Sequence, residues 1–417
     1  MKKHAELLNI ILFSSGKFAS DLGTAVYTFA VGLYVLKFTG SGLSFAVTLL
    51  LGIAPVIIVS PAAGVLADRF SKKTIIMMMD VLNGLLFFSV FALTSAKSHS
   101  LMPIYAGIFL SSVFTTFFGI SMETGKPYIV SDEKLLKLNA ISKILDAIPA
   151  ILGPVLGGLV FVFIDIRAFM VINGVSFLMS AFTELFIDFN YNVKQKEQNP
   201  NHEGFIDSMK GGILYIRQRR DIIKLFKIFV VLNFFISFSV SVPIPYILNN
   251  TLNLSPGSYG LIQGAFPVGL ILGSLIIKWI ALQTDSTGLL LRISSGMALC
   301  MVLIGAPLIS YDSFGTGIYI AYYLCIMLCI GIGIALIDIP IIYYLQTNIP
   351  DAFRGRVLSL GMSSVKIIAP IGYLLSGILI AMYPVQLVSI IGGGFLMISL
   401  YAMSRKKEAY QTDTAPM

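Results

Sequence analysis

The chain has 417 residues, 56% of them hydrophobic and only 12% charged. A soluble protein of this length carries roughly a quarter charged residues, so a water-soluble globular fold is excluded. The net charge of +8 would suggest nucleic acid in a soluble chain; here the bases gather between apolar blocks, where membrane topology wants them, and no nucleic-acid partner is expected.

The apolar blocks run about 20 residues, the length a helix needs to cross ~30 Å of hydrocarbon. A transmembrane β-barrel would show alternating segments of ~10 residues, and the sequence has none. The fold class is all-α integral membrane. Twelve spans are predicted, roughly 10–36, 43–66, 74–95, 101–123, 138–163, 167–189, 224–248, 257–281, 289–310, 316–345, 357–380 and 384–403. "MKKHAELLNIILFSS" continues into a full-length span, unlike a cleavable leader. With the amino terminus inside, only Lys37, Lys97 and Arg167 fall at outer ends, which makes both termini cytoplasmic.

Span one aligns Lys17, Asp21, Thr24 and Thr28 on one helical face. Asp21 lies about eleven residues in, roughly 16 Å deep at 1.5 Å per residue. An acid at the bilayer centre costs about 2.5–3.5 kcal/mol on insertion scales. Three readings stand for it: a structural ion pair with Lys17, a proton carrier, or a contact for a cationic substrate. The turn "GVLADRFSKK" after span two holds Gly64, Asp68, Arg69, Lys72 and Lys73. On residues alone it reads as a basic turn with a helix-capping acid, Gly64 allowing close helix approach. Asp80 and Glu184 lie near enough to the inner surface to read as interfacial residues.

Span four offers Ser112 and Thr116 as cavity walls, and its "GISMETGKP" fails as a phosphate loop, having Pro127 where Ser or Thr belongs. Span five carries Asp146 and then "PAILGPVLGG". There Pro154 removes a backbone donor, and Gly153, Gly157 and Gly158 admit a neighbouring helix. Residues 191–222 form a linker, polar at first, with an amphipathic helix from Phe205. Span seven offers Asn233 and Ser237, span ten Tyr319, Tyr323 and Asp338, and span eleven Lys366. Cys300, Cys325 and Cys329 read as reduced, packed thiols. His4, His99 and His202 have no spacing for a metal or a triad; no enzyme chemistry, metal or cofactor is expected.

Aligned without gaps, the segments from Ser131 and Pro350 match Asp132 with Asp351, Gly153 with Gly372 and Gly158 with Gly377. Spans five and eleven then correspond, as two parallel six-span repeats require. The expected domains are a six-helix bundle over 1–190, the linker over 191–222 and a second bundle over 223–417.

These motifs resemble the major facilitator superfamily. Gly64, Leu66, Ala67, Asp68, Arg69, Lys72 and Lys73 are similar to its loop 2–3 signature, G-x-L-a-D-r-x-G-r-K, with Ser71 replacing the second glycine. "PAILGPVLGG" is similar to its antiporter motif, with Pro149 replacing the first glycine. "LQTNIPDAFRGRVLSL" and "FIDSMKGGILYIRQRRDI" look like the subgroup of macrolide-efflux and enterobactin-export proteins. The resemblance implies two pseudo-symmetric six-helix bundles and a central cavity lined by spans one, four, seven and ten. It also implies a cytoplasmic latch, Asp68 bonding the start of span eleven beside Arg356. An arginine motif the family's drug exporters often carry in span four is absent.

Without a nucleotide site, concentrating a solute must draw on an ion gradient, in which one charge crossing 100 mV yields ~2.3 kcal/mol. The expected function is proton-coupled export of amphipathic, macrolide-like drugs by a monomer in a bacterial plasma membrane. The alternative is movement of a native lipid, siderophore or metabolite. Asp21, Lys17, Asp338 and Asp146 are the candidates for coupling or substrate contact.

Overall fold

The computed structural model describes residues 2–96, 100–192, 205–280, 286–310 and 315–412. Among them every regular element is helical, as lipid demands of a backbone that must satisfy its own polar groups. The helices α1 (Lys2–Thr39), α2 (Gly42–Arg69), α3 (Lys72–Ala96), α4 (Met102–Ile129), α5 (Asp132–Phe163) and α6 (Ile166–Glu184) come first. The amphipathic segment forms α7 (Phe205–Gln218), while linker residues 193–204 lie outside the described residues.

Span seven is broken where sequence predicts one helix. After α8 (Arg220–Ile236), wide π turns at Ser237–Ser241 and Ile247–Thr251 flank α9 (Pro243–Tyr246). Pro243 and Pro245 lack the N–H that a regular α-helix needs, and the π turns fall on either side of them. Then follow α10 (Pro256–Ile280), α11 (Ser286–Gly305), α12 (Thr316–Asn348), α13 (Asp351–Met382) and α14 (Val385–Thr412). Eleven described segments are long and apolar enough to cross a membrane, and Ile367–Met382 is a shorter apolar helix. The phosphate-loop lookalike lies wholly within α4.

The chain divides into two compact units: Met1–Gly40, Val47–Gln198 and Ser255–Gly264 make the first, and Ser41–Ala46, Asn199–Leu254 and Ala265–Met417 the second. Two short segments thus belong to units other than those expected from sequence order. The start of α2 packs on α13, where a Cβ on Gly377 would meet that of Ala46 at 2.7 Å. The start of α10 packs on α5, where a Cβ on Gly158 would lie 2.5 Å from the Pro256 carbonyl oxygen.

In the first unit α1 packs against α5 and α6, and α3 against α4 and α6. Tyr27, Phe87 and Phe177 interlock at its core, with ring centroids 4.5 and 5.5 Å apart. The amino end of α1 is tied to the α4–α5 corner. Buried Glu6 accepts hydrogen bonds from the Ser131 backbone and hydroxyl at 2.7 and 2.6 Å and pairs with Lys134 at 2.6 Å. It therefore supplies a carboxylate to the amino end of α5, where the helix dipole favours one.

In the second unit α11 packs on α14 and α12, and α13 on α8 and α7. At the start of α8, Arg219 grips Asp221 through two nitrogens, at 3.0 and 2.7 Å, and Tyr344 of α12 donates to the same carboxylate. That bond to Asp221 pushes the Tyr344 phenol up. Cys300 of α11 is half-buried, whereas Cys325 and Cys329 of α12 are exposed, not packed as expected.

Candidate functional site

Two features of the first unit set the site: the polar face of α1 and the glycines of α5. A Cβ on Gly153 would meet that of Ala25 at 2.8 Å, and one on Gly157 would meet Phe29 at 2.7 Å. The absent side chains let α5 lie directly along α1, the two helices running parallel. Extended two turns toward the amino ends, the same register brings Asp146 beside Lys17.

Lys17 Nζ lies 2.7 Å from Asp21 Oδ2 and 2.9 Å from Asp146 Oδ1. The lysine side chain is 9% exposed, its partners 30% and 41%. One buried cation therefore holds two carboxylates that reach the surface of the unit. Next to them on α4, Lys126 pairs with Glu123 at 2.5 Å, and Ser142 of α5 reaches the same carboxylate at 3.4 Å. Glu123 and Asp146 both act electrostatically on Asp21. The Lys17–Asp21 pair follows from their spacing. Asp146 as its second partner does not, although the small-residue pattern Gly153, Gly157 held the signal for the helix pairing.

Thr24 and Thr28 continue the stripe, each donating to the carbonyl four residues earlier, Ser20 and Thr24 respectively. The other expected cavity walls are placed differently. Ser112 is buried and donates to the Gly52 carbonyl of α2 at 2.6 Å, and buried Thr116 bonds back to Ser112. In the second unit Ser237 is buried, Tyr319 is 5% exposed, and fully buried Tyr323 donates to the Ile304 carbonyl of α11. Asn233 and Asp338 do come together, on the wall of a void of about 10 Å³ shared with Met297, room for a single water at most.

A family model described as Major Facilitator Superfamily matches residues 13–365. The chain belongs to the major facilitator superfamily. It is a multi-span membrane transporter and not an enzyme. Among curated relatives, macrolide efflux protein A of Streptococcus pyogenes is 23% identical over 373 residues, 87% of each chain. An uncharacterized MFS-type transporter of Bacillus subtilis (strain 168), YfiS, is 24% identical over 395 residues, 94% of this chain and 91% of its own. Among solved structures, the nucleoside transporter NupG superposes with a TM-score of 0.73 at 12% identity, covering 95% of this chain and 98% of that one. A bacterial homologue of the iron transporter ferroportin, in its inward-facing state, gives 0.69 at 16%, covering 95% and 99%. These two likenesses are of fold.

The superfamily's loop 2–3 signature forms the corner between α2 and α3. Lys72 donates to the Ala67 carbonyl at 3.1 Å and sits 4.8 Å from the Tyr128 ring; Lys73 donates to the Leu185 carbonyl at 2.6 Å. A Cβ on Gly64 would meet nothing within 4 Å, so this glycine is not at the close helix contact expected of it. The side chains of Asp68, Arg69 and Arg356, on which the latch would depend, lie outside the described residues, as does that of Lys366. Asp80 and Glu184, expected at the interface, are fully buried instead: α1 covers the face of α3 and α6 that carries them.

Proposed function

We propose that the chain is a proton-coupled exporter of amphipathic, macrolide-like cations, working by alternating access in a bacterial plasma membrane with both termini cytoplasmic. The observation that carries this reading is Lys17 held between Asp21 and Asp146. With the adjacent Lys126–Glu123 pair, two lysines and three acids meet among the described contacts. A carboxylate in a low-dielectric setting needs a proton or a cation.

A proton on Asp21 or Asp146 discharges that acid, and a cationic group on a substrate can balance it in the proton's place. The two ligands then compete for the same carboxylates. Competition of this kind makes exchange: binding of one on one side of the membrane expels the other. Lys17 stays buried throughout as the fixed cation that orients both acids. The efflux names of the relatives, at 23% identity, support the direction and the substrate class.

The test is flux in proteoliposomes under an imposed pH gradient, with a macrolide and a lysophospholipid as substrates. Macrolide flux accelerated by the gradient is the expected result. Lipid movement indifferent to the gradient would transfer the protein to the lipid-transporting alternative, and absence of any flux would reject both.

A further inference from the structure

A second polar group lies on a neighbouring side of α1, about 100° round from the first. Ser20 and the Gly16 carbonyl of α1, Asp80 of α3, and Ser180 and Glu184 of α6 meet in the interior of the first unit. Asp80 and Glu184 are both 0% exposed. A Cβ on Gly16 would lie 3.3 Å from both the Ser180 hydroxyl and Glu184 Oε1, so the bare glycine lets α6 bring these groups against α1.

Four oxygen–oxygen contacts connect the set: Ser20 Oγ to Asp80 Oδ2 at 2.8 Å, Ser20 Oγ to Ser180 Oγ at 3.0 Å, Ser180 Oγ to the Gly16 carbonyl at 3.1 Å and Ser180 Oγ to Glu184 Oε1 at 3.3 Å. For every contact to be a full hydrogen bond, each needs its own hydrogen between the oxygens. Two hydroxyls supply two hydrogens and an ionised carboxylate supplies none. Protonating both acids completes the set: Asp80 donates to Ser20, Ser20 to Ser180, Ser180 to the Gly16 carbonyl, and Glu184 to Ser180. The remaining oxygens, Asp80 Oδ1 and Glu184 Oε2, have no hydrogen-bond partner, which a neutral carboxyl tolerates far better than an anion.

The charges around the pair agree with this count. The two acids repel each other, and Asp21 on α1 adds a further negative influence on Asp80. Lys17 is committed to Asp21 and Asp146, Lys126 of α4 to Glu123, and Lys73 of α3 to the Leu185 carbonyl. We infer that Asp80 and Glu184 form a second proton-binding site, distinct from the Lys17 cluster and holding two protons in this conformation. Releasing them would leave two like charges among buried neutral groups, so release requires α1 to part from α3 and α6 and admit water.

Infrared spectroscopy of the full chain in lipid tests this without reference to any substrate. At neutral pH the protein should show carbonyl bands of protonated carboxylic acids; Asp80→Asn should remove one and Glu184→Gln another, while Asp21→Asn leaves both. If either variant fails to fold, carbon-13 labelling of glutamate carboxyls in the unsubstituted protein gives the same answer. A shifted acid band that persists when Glu133, Glu197, Glu203 and Glu408 are replaced by Gln assigns Glu184, because the other two glutamates, Glu6 and Glu123, are each paired with a lysine. Acid bands untouched by the substitutions, or no acid band from labelled glutamate, would mean an ionised pair and overturn the inference. Sodium-dependent shifts of carboxylate bands would overturn it in favour of a cation site.

Discussion

The two faces of α1 treat carboxylates in opposite ways. On one, Asp21 and Asp146 reach the surface and share a lysine; on the other, Asp80 and Glu184 are sealed in with two serines. A cation beside an acid keeps it ionised and ready to exchange its partner. Burial without a cation makes the acid hold its proton until the surroundings change. One helix therefore carries a site suited to exchange and a site suited to storage, about one residue apart at Ser20 and Asp21.

The sharpest break of this comparison is the loss of an exchanging acid. Asp21→Asn or Asp146→Asn leaves Lys17 with one of its two carboxylates. If one charge per cycle is lost from coupling, accumulation driven by 100 mV should fall by up to about fiftyfold, from ~2.3 kcal/mol, while downhill flux persists. Counterflow alongside gradient-driven uptake measures both.

Next in size is the lysine itself. Lys17→Met leaves two carboxylates without their cation, and a fully buried pair broken in this way costs about 3–5 kcal/mol. The partial exposure of both acids should reduce the loss to roughly 1–3 kcal/mol, read as a lowered unfolding midpoint in detergent. Adding Asp146→Asn should recover part of it. Neither change should move the acid carbonyl bands of the buried pair.

Smaller effects separate the two faces by packing. Gly153→Ala places a methyl 2.8 Å from Ala25 Cβ and 3.2 Å from its backbone carbon. It should push α5 off α1 at a cost of about 1–3 kcal/mol and weaken coupling by drawing Asp146 from Lys17. Gly16→Ala meets two side-chain oxygens at 3.3 Å, a milder intrusion of about 1 kcal/mol that should shift the buried acid bands and spare exchange. Ser20→Ala removes the 2.8 Å hydrogen-bond partner of Asp80 and should cost about 1 kcal/mol, with the Asp80 band shifted by the lost bond.

Much of the architecture was legible in the sequence because membrane helices must be long, apolar and complete in their own hydrogen bonds. The Lys17–Asp21 pair was legible too, since residues four apart share a helical face. Asp146 joins them only through the register of α5 on α1, which glycine spacing suggests and three-dimensional packing decides. Asp80 and Glu184 looked interfacial because hydropathy reports depth along a helix and says nothing about which face a neighbour covers. The same limit explains Tyr319 and Tyr323: polar tips in an apolar helix read as cavity walls, yet Tyr323 donates to a carbonyl of α11. In span seven, Pro243 and Pro245 were visible warnings that one regular helix would not run through.

The central claim, that proton and substrate contend for the carboxylates beside Lys17, is tested most directly by counting protons. Adding a cationic macrolide to the purified protein in weakly buffered detergent, at a pH where the cluster is protonated, should release about one proton per chain. Asp21→Asn and Asp146→Asn should abolish that release, and Glu184→Gln should leave it intact. Equal release from the unsubstituted protein and from both aspartate variants would contradict the account.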